Sequence, residues 1–215
     1  MGVNLQGSVP MNLKPGFFDR RGGIKVFHDD EGAVSLLSKQ ILDMIPPHTI
    51  RPIVFVCIGT DRSTGDSLGP LVGTLLEEKG SNPFYIYGTL DDPIHAINLE
   101  EKLKEIKQRH FYPFIIGIDA CLGKMKSVGA IQVANGPVKP GAGVNKELPP
   151  VGDIHLTGVV NVSGFMEFFV LQNTRLNLVL KMAKTISNGI HQASIKYRIR
   201  KAEWSPLPLN NEETV

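Results

Sequence analysis

Asp66 and Asp119 carry most of the chemistry this 215-residue chain offers. Each comes shortly after a run of apolar residues, Ile53 to Ile58 in one case and Phe114 to Ile118 in the other. Carboxylates placed beyond the carboxyl ends of two neighbouring parallel strands would enter one cleft, and that is where open α/β sheets build their sites. Two such groups in a low-dielectric cleft cannot both ionise easily, so one pKa rises and the pair shares a proton near working pH. The ionised partner can take a proton from water as it attacks a peptide carbonyl, while the protonated partner stabilises the oxyanion or protonates the leaving nitrogen. Each aspartate also has a plainer reading. Asp66 could cap a helix and complement its dipole, and Asp119 could form a turn.

The elements that must position the pair can be read from hydrophobic spacing. Ile53 to Ile58 is unbroken, apolar and rich in β-branched residues, as expected of a strand buried on both faces of a parallel sheet. It ends at Gly59, and Thr60 to Gly65 is a polar loop. Beyond Ser67, residues Leu68, Leu71, Val72, Leu75 and Leu76 recur at helical spacing, with Pro70 in the tolerated first turn and Lys79-Gly80 as the stop. Phe114 to Ile118 predicts a second buried strand, with Asp119 at its carboxyl end before a Cys-Leu-Gly turn.

Around these, Glu31 to Ile45 reads as an amphipathic helix stopped by Pro46-Pro47, and Phe84 to Tyr87 as a short strand. Ile94 to His110 reads as a charged surface helix with Ile97, Leu99, Leu103 and Ile106 on its buried face. Val128 to Ala134 and Asp153 to Val160 are strands, with a loop of some eighteen residues between them, and Phe165 to Tyr197 forms one or two helices. Loops of that length without secondary structure are usually functional or mobile. The expected organisation is an irregular arm over 1–30, one α/β domain over 31–202 and a loose tail over 203–215.

Three of these stretches resemble known proteases. From Gly59 to Pro70, G-T-D-R-S-T-G-D-S-L-G-P resembles the first active-site loop of the germination protease of spore-forming bacteria. It is also similar, with Asp where they carry Glu, to a loop of the hydrogenase-maturation endopeptidases. The strand before Asp119-Ala120 resembles the second catalytic aspartate of the germination protease and an acidic metal-ligand position of the maturation endopeptidases. PGAGVNKEL, from Pro140 to Leu148, resembles the germination protease's P-G-S-G-V-G-N-K loop. The resemblance covers roughly residues 53–190. It implies a shorter sporulation-associated relative, with a three-layer α/β sandwich, a mainly parallel twisted sheet flanked by helices, of the phosphorylase/hydrolase-like kind seen in the maturation endopeptidases.

The activity implied is that of an endopeptidase with Asp66 and Asp119 as catalytic pair. Arg62, Ser63 and Thr64 are expected at the cleft entrance as substrate-binding groups, with Gly141, Gly143 and Asn145 as a wall. The expected substrate is a protein or peptide, such as a spore protein, in the cytoplasm of the sporulating cell or forespore.

Other chemistries compete less well. The maturation endopeptidases add a histidine as third metal ligand, and His155 is the residue in a comparable region. No cofactor is expected, and a divalent metal held by Asp66, Asp119 and His155 is the alternative. A Cys121 nucleophile would need a histidine that no local signature supplies. Gly59 to Gly65 is neither a G-x-G-x-x-G nor a P-loop lysine motif, and Asp66 would repel phosphate. A fold retained as a binding or assembly module is the non-enzyme alternative.

Composition excludes further classes. The formal charge is +2 and hydrophobic residues make up 42% of the chain, with no basic stripe interleaved with aromatics, so no nucleic-acid footprint is present. The two cysteines, Cys57 and Cys121, suit reduced thiols. No apolar run approaches a membrane span and the first residues lack signal-peptide order, so a soluble, intracellular protein with no membrane partner is expected. The sequence does not fix the oligomeric state.

Overall fold

The computed structural model describes residues 17–18, 23–80, 82–141 and 148–204, the first pair as backbone only. In chain order its elements are β1 (Phe17–Phe18), β2 (Ile24–Phe27), α1 (Ala33–Met44), β3 (Ile53–Cys57), α2 (Leu68–Glu78), β4 (Tyr85–Tyr87), α3 (Leu99–Arg109), β5 (Phe114–Gly123), β6 (Ala130–Asn135), β7 (Ile154–Val162), α4 (Glu167–Gln172) and α5 (Leu176–Trp204). A short 3-10 turn, Met125–Ser127, joins β5 to β6.

One seven-stranded sheet runs in the order β1-β2-β6-β7-β5-β3-β4. The fold is α/β with helices on both faces, as expected. Its sheet is mixed: β4, β3, β5 and β7 are mutually parallel, whereas β6, β2 and β1 join antiparallel. The parallel half follows from its crossovers. After β3 and β4 the chain passes through α2 and α3, and parallel neighbours require such returns. In the antiparallel half, a short turn leads from β5 into β6, which pairs with β7 on one side and β2 on the other.

The sheet's two faces carry separate cores. Phe55, Cys57, Ile116, Ile118, Ile131, Leu156 and Val160 pack with α1, α2 and α5 on one face. On the other, Val54, Val56, Ile58 and Ile115 pack under α3 through Leu99, Leu103 and Ile106, with Val138 and Val151 alongside. All five residues of β3 are buried, which accounts for its uninterrupted apolar run. Burying each such Leu, Ile or Phe contributes roughly 1.5–3 kcal/mol. The α5 helix spans the first face with a stripe from Val179 through Met182, Ile186 and Ile190 to Tyr197, spaced at the helical period.

Four local expectations change. Residues 24–27, assigned by sequence to the irregular arm, form β2, in which Ile24 and Val26 are buried and pair with β6. Four alternating residues beside glycines were too short a signal. The β5 strand does not turn at Asp119 but continues to Gly123, because β7 runs beside it past the end of β3, with a bulge at Cys121/Leu122. The α3 helix starts at Leu99 rather than Ile94, since Ile94 bridges Ile58 and extends the β3 edge. As a result Ile97, expected on the helix's buried face, is 90% exposed. Finally, Ser67 occupies the α2 cap position, so Asp66 lies one residue ahead of it and does not cap the helix.

Candidate active site

Beyond Cys57 the chain leaves the sheet, and the Gly59 to Ser67 loop folds back over the strand end. Ile58 still donates its N–H to the Ile118 carbonyl at 2.7 Å, and Gly59 donates to the Ile94 carbonyl at 2.8 Å. The loop then closes on itself, with Thr60 N–H donating to the Asp66 carbonyl at 3.2 Å and Ser67 Oγ to the Thr64 carbonyl at 2.7 Å. Gly59 has φ of 146°, and a Cβ there would collide with the Asp66 carbonyl, so glycine is required for the closure. Gly65 N–H donates to the Leu171 carbonyl of α4 at 2.8 Å, and its missing side chain leaves room for Leu171 and Thr174.

Asp119 comes from β5, one residue past the level where Cys57 pairs with Ile118, and is paired with Thr157 of β7 on its other side. Alternation puts Ile116, Ile118 and Ala120 in the core beneath α1, α2 and α5, so Asp119 faces the α3 side. Asp66 and Asp119 meet there, in one cleft of about 500 Å³ at the carboxyl edge of the parallel strands.

Their electrostatics differ. Burial pushes the Asp119 carboxyl well above the usual range, and the nearby Asp66 charge pushes it further, against the opposing Ala120 N–H that donates to Oδ1 at 2.9 Å. It is nonetheless half-buried rather than sealed, because the cleft reaches it. Burial also raises Asp66, and the Ser63 hydroxyl beside it opposes that shift. Ser63 Oγ is itself buried, and the Asp66 carboxyl is the group its hydroxyl acts on. Both carboxyls are thus pushed upward, Asp119 further than Asp66, with the Asp66 charge among the causes at Asp119.

The other sequence candidates divide. Arg62, exposed, and Ser63, 5% exposed, line the cleft, as does Gly141. Thr64 does not line it and serves the loop through its carbonyl. Gly143 and Asn145 lie outside the described residues.

His155 stands opposite Gly117 in β7, two residues or about 7 Å upstream of Asp119's neighbour Thr157. Its Nδ1 pairs with the Gly136 carbonyl at 2.8 Å. Asp66, Asp119 and His155 are not brought together as a ligand set, and among the described residues no group of three or more His, Cys, Asp or Glu side chains is placed to hold a metal ion. The expected third ligand is instead a strand histidine bonded to a neighbouring carbonyl.

Cys121 lies inside β5, and burial together with the Asp119 charge pushes its thiol up to about 11, far from a ready thiolate. Among the described residues no helix is long and apolar enough to cross a membrane.

Several cleft residues were not read from sequence as part of the site: His95 and Ile97 ahead of α3, Leu148, and Phe168 and Gln172 of α4. Pro93 and Asn98 were the available signal at the first position. A proline and a capping asparagine delay the helix, and the segment between them is left at the cleft.

Comparison with known proteins places this arrangement among relatives. The family model described as a protein of unknown function, DUF1256, matches residues 25–189, which span β2 to α5 and both aspartates. The chain is 50% identical over 202 residues to the uncharacterized protein YyaC of Bacillus subtilis (strain 168), covering 93% of this chain and 96% of that one. Among solved structures it is similar to the NiFe hydrogenase maturation protease HycI from Thermococcus kodakarensis KOD1, at 17% identity and a TM-score of 0.49, over 71% of this chain and 97% of that one. By the extent of the family match, this chain belongs to the DUF1256 family.

Proposed function

We propose that this protein is an endopeptidase in which Asp66 and Asp119 activate water as an acid–base pair. The observation that carries the reading is that two carboxyl groups from separate elements meet in one cleft, where burial raises both pKa values and charge coupling separates them. Asp66 is the base, since it ionises first and the Ser63 hydroxyl favours its charged form. Asp119 is the acid, kept protonated by burial and by the charge opposite. Water attacks the peptide carbonyl as its proton passes to Asp66. Asp119 donates its proton toward the oxyanion or the leaving nitrogen, and the pair then exchanges a proton with solvent to reset.

Arg62 at the entrance binds substrate polar groups, and Gly141 forms part of the wall. No step runs through a metal ion. The loop resemblance to the germination protease extends the reading to a sporulating cell and a spore protein substrate. The unit that performs the reaction is the α/β domain of residues 31–202, together with β2, which joins its sheet beside β6.

The test is cleavage of an unstructured protein, read by mass spectrometry, for the parent, Asp66→Asn, Asp119→Asn and the double variant, each with and without a chelator. Asn keeps the size of Asp and most of the local structure. Chelator-resistant cleavage lost in each single variant supports the pair, whereas full activity in a folded double variant overturns it.

A further inference from the structure

The floor and the mouth of the cleft differ in chemistry. Its floor holds the two carboxyl groups, whereas its mouth presents Ile97 from the segment ahead of α3 and Phe168 from α4, 90% and 50% exposed. Single exposed apolar residues are ordinary on protein surfaces. Here two of them, from distant parts of the chain, line one opening, and the exposed Phe169 ring stands edge-on to Phe168 at 5.8 Å.

Neither platform is loosely held. His95 N–H donates to Asn98 Oδ1 at 2.8 Å and Asn98 Nδ2 to the Pro93 carbonyl at 3.0 Å, which fixes the turn that carries Ile97 above buried Ile94. The α4 helix buries Leu171, whose carbonyl accepts from Gly65 of the Asp66 loop, and Asn161 Nδ2 donates to the Val170 carbonyl at 3.2 Å. Phe168 is therefore tied to the loop that positions Asp66. Rigid apolar platforms beside a reactive floor gain their burial from a ligand.

The remaining groups narrow the ligand. Asp61 and Arg62 put both signs of charge at the same rim, so a ligand of one sign gains no clear advantage there, and an anion would meet Asp66 and Asp119 below. The buried Ser63 hydroxyl, beside Asp66, adds a polar group to the floor under the ligand. A volume of about 500 Å³ suits a few residues of extended chain.

We propose that the cleft binds an extended polypeptide segment and that Ile97 and Phe168 form a selectivity subsite for one large aliphatic or aromatic side chain, seated beside the bond presented to Asp66 and Asp119. The subsite rests on the peptidase reading above and names its substrate class.

Binding and chemistry separate in the experiment. Fluorescent decapeptides identical except for Phe, Leu, Ser or Glu at one central position are titrated by anisotropy into Asp119→Asn protein, alone and with Ile97→Ser, Phe168→Ser or both. The Phe and Leu peptides are expected to bind at least about 10-fold tighter than the Ser peptide, the low end of what a single methylene supplies in an apolar pocket. The double serine change should erase that preference by bringing the Phe and Leu peptides down to the affinity of the Ser peptide in the same protein. Equal binding of all four peptides, or a preference that survives the double change, overturns the subsite. Absent hydrolysis by the parent in the preceding assay would defeat the catalytic reading while these affinities still decide the subsite.

Discussion

At the amino end of the parallel strands, Asp153 is saturated with donors. Both of its oxygens accept from Arg51 at 3.2 Å and Oδ2 accepts from Ile115 N–H at 2.8 Å, while Arg51 also bonds the Tyr112 and Pro113 carbonyls and lies over the Tyr112 ring. Across the sheet, at the carboxyl end, Asp119 has the Ala120 N–H, burial and a like charge opposite. The same residue type thus serves two purposes. A donor-saturated carboxylate ties three chain segments together, whereas an under-supplied one holds a proton it can give up. The difference lies in what neighbouring backbone and side chains offer.

That contrast predicts effects of very different size. The largest is on catalysis: Asp66→Asn or Asp119→Asn should lower kcat by about a hundred- to ten-thousand-fold, and the double variant should fall little further, since groups acting as a unit are not additive. Asp153→Asn should leave kcat within about twofold, because it touches no reacting group. Single-turnover kinetics on the four variants and the parent check both ends of the comparison.

Next in size is stability at the donor-rich end. Arg51→Ala should cost about 1–2 kcal/mol in urea unfolding, a modest figure because the ion pair is partly solvated. Activity should be unchanged.

Stability at the other end should respond in the opposite sense. Asp119 holds its proton more tightly folded than unfolded, so as pH rises above about 4 the unfolded chain releases it first and the folded state loses stability. Asp119→Asn removes that penalty. The variant should therefore melt above the parent at pH 7, and the gap should close toward pH 4, as thermal unfolding across that range will show. A buried carboxyl that must ionise without enough donors costs stability.

The smallest effect concerns Ser63. Ser63→Ala removes the group that holds Asp66 down, so the acidic limb of kcat/KM should move to higher pH, whereas Ser63→Thr, which keeps the hydroxyl, should leave it in place. Full pH profiles of the three proteins decide this.

Much of the carboxyl end was legible in the sequence because strong local signals specify it. An all-buried strand leaves no polar residues to break its run, and α2 repeats its apolar positions at the helical period, so the loop between them and Asp66 could be placed. Asp119 was placed on the correct edge even though β5 runs on past it, because the end of β3, set by Gly59, defines the cleft. What the sequence concealed depends on tertiary pairing. The short β2 strand is a strand only because β6 pairs with it. Ile97 fits a helical stripe by spacing, and only the Ile58 to Ile94 bridge and the Asn98 turn put it outside the helix. His155 has the right residue type for a ligand, yet strand register and the Gly136 carbonyl give it another partner.

The coupling between the two aspartates can be measured without any substrate, by following their side-chain carboxyl carbons by NMR from acid to alkaline pH in the parent and in Asp66→Asn. Asp119 should titrate well above the ordinary carboxylate range and after Asp66. Its midpoint should move down in the variant, where the charge that raises it is gone. Two ordinary, independent titrations, with the Asp119 midpoint unmoved by the Asp66 substitution, would contradict the proton-sharing pair.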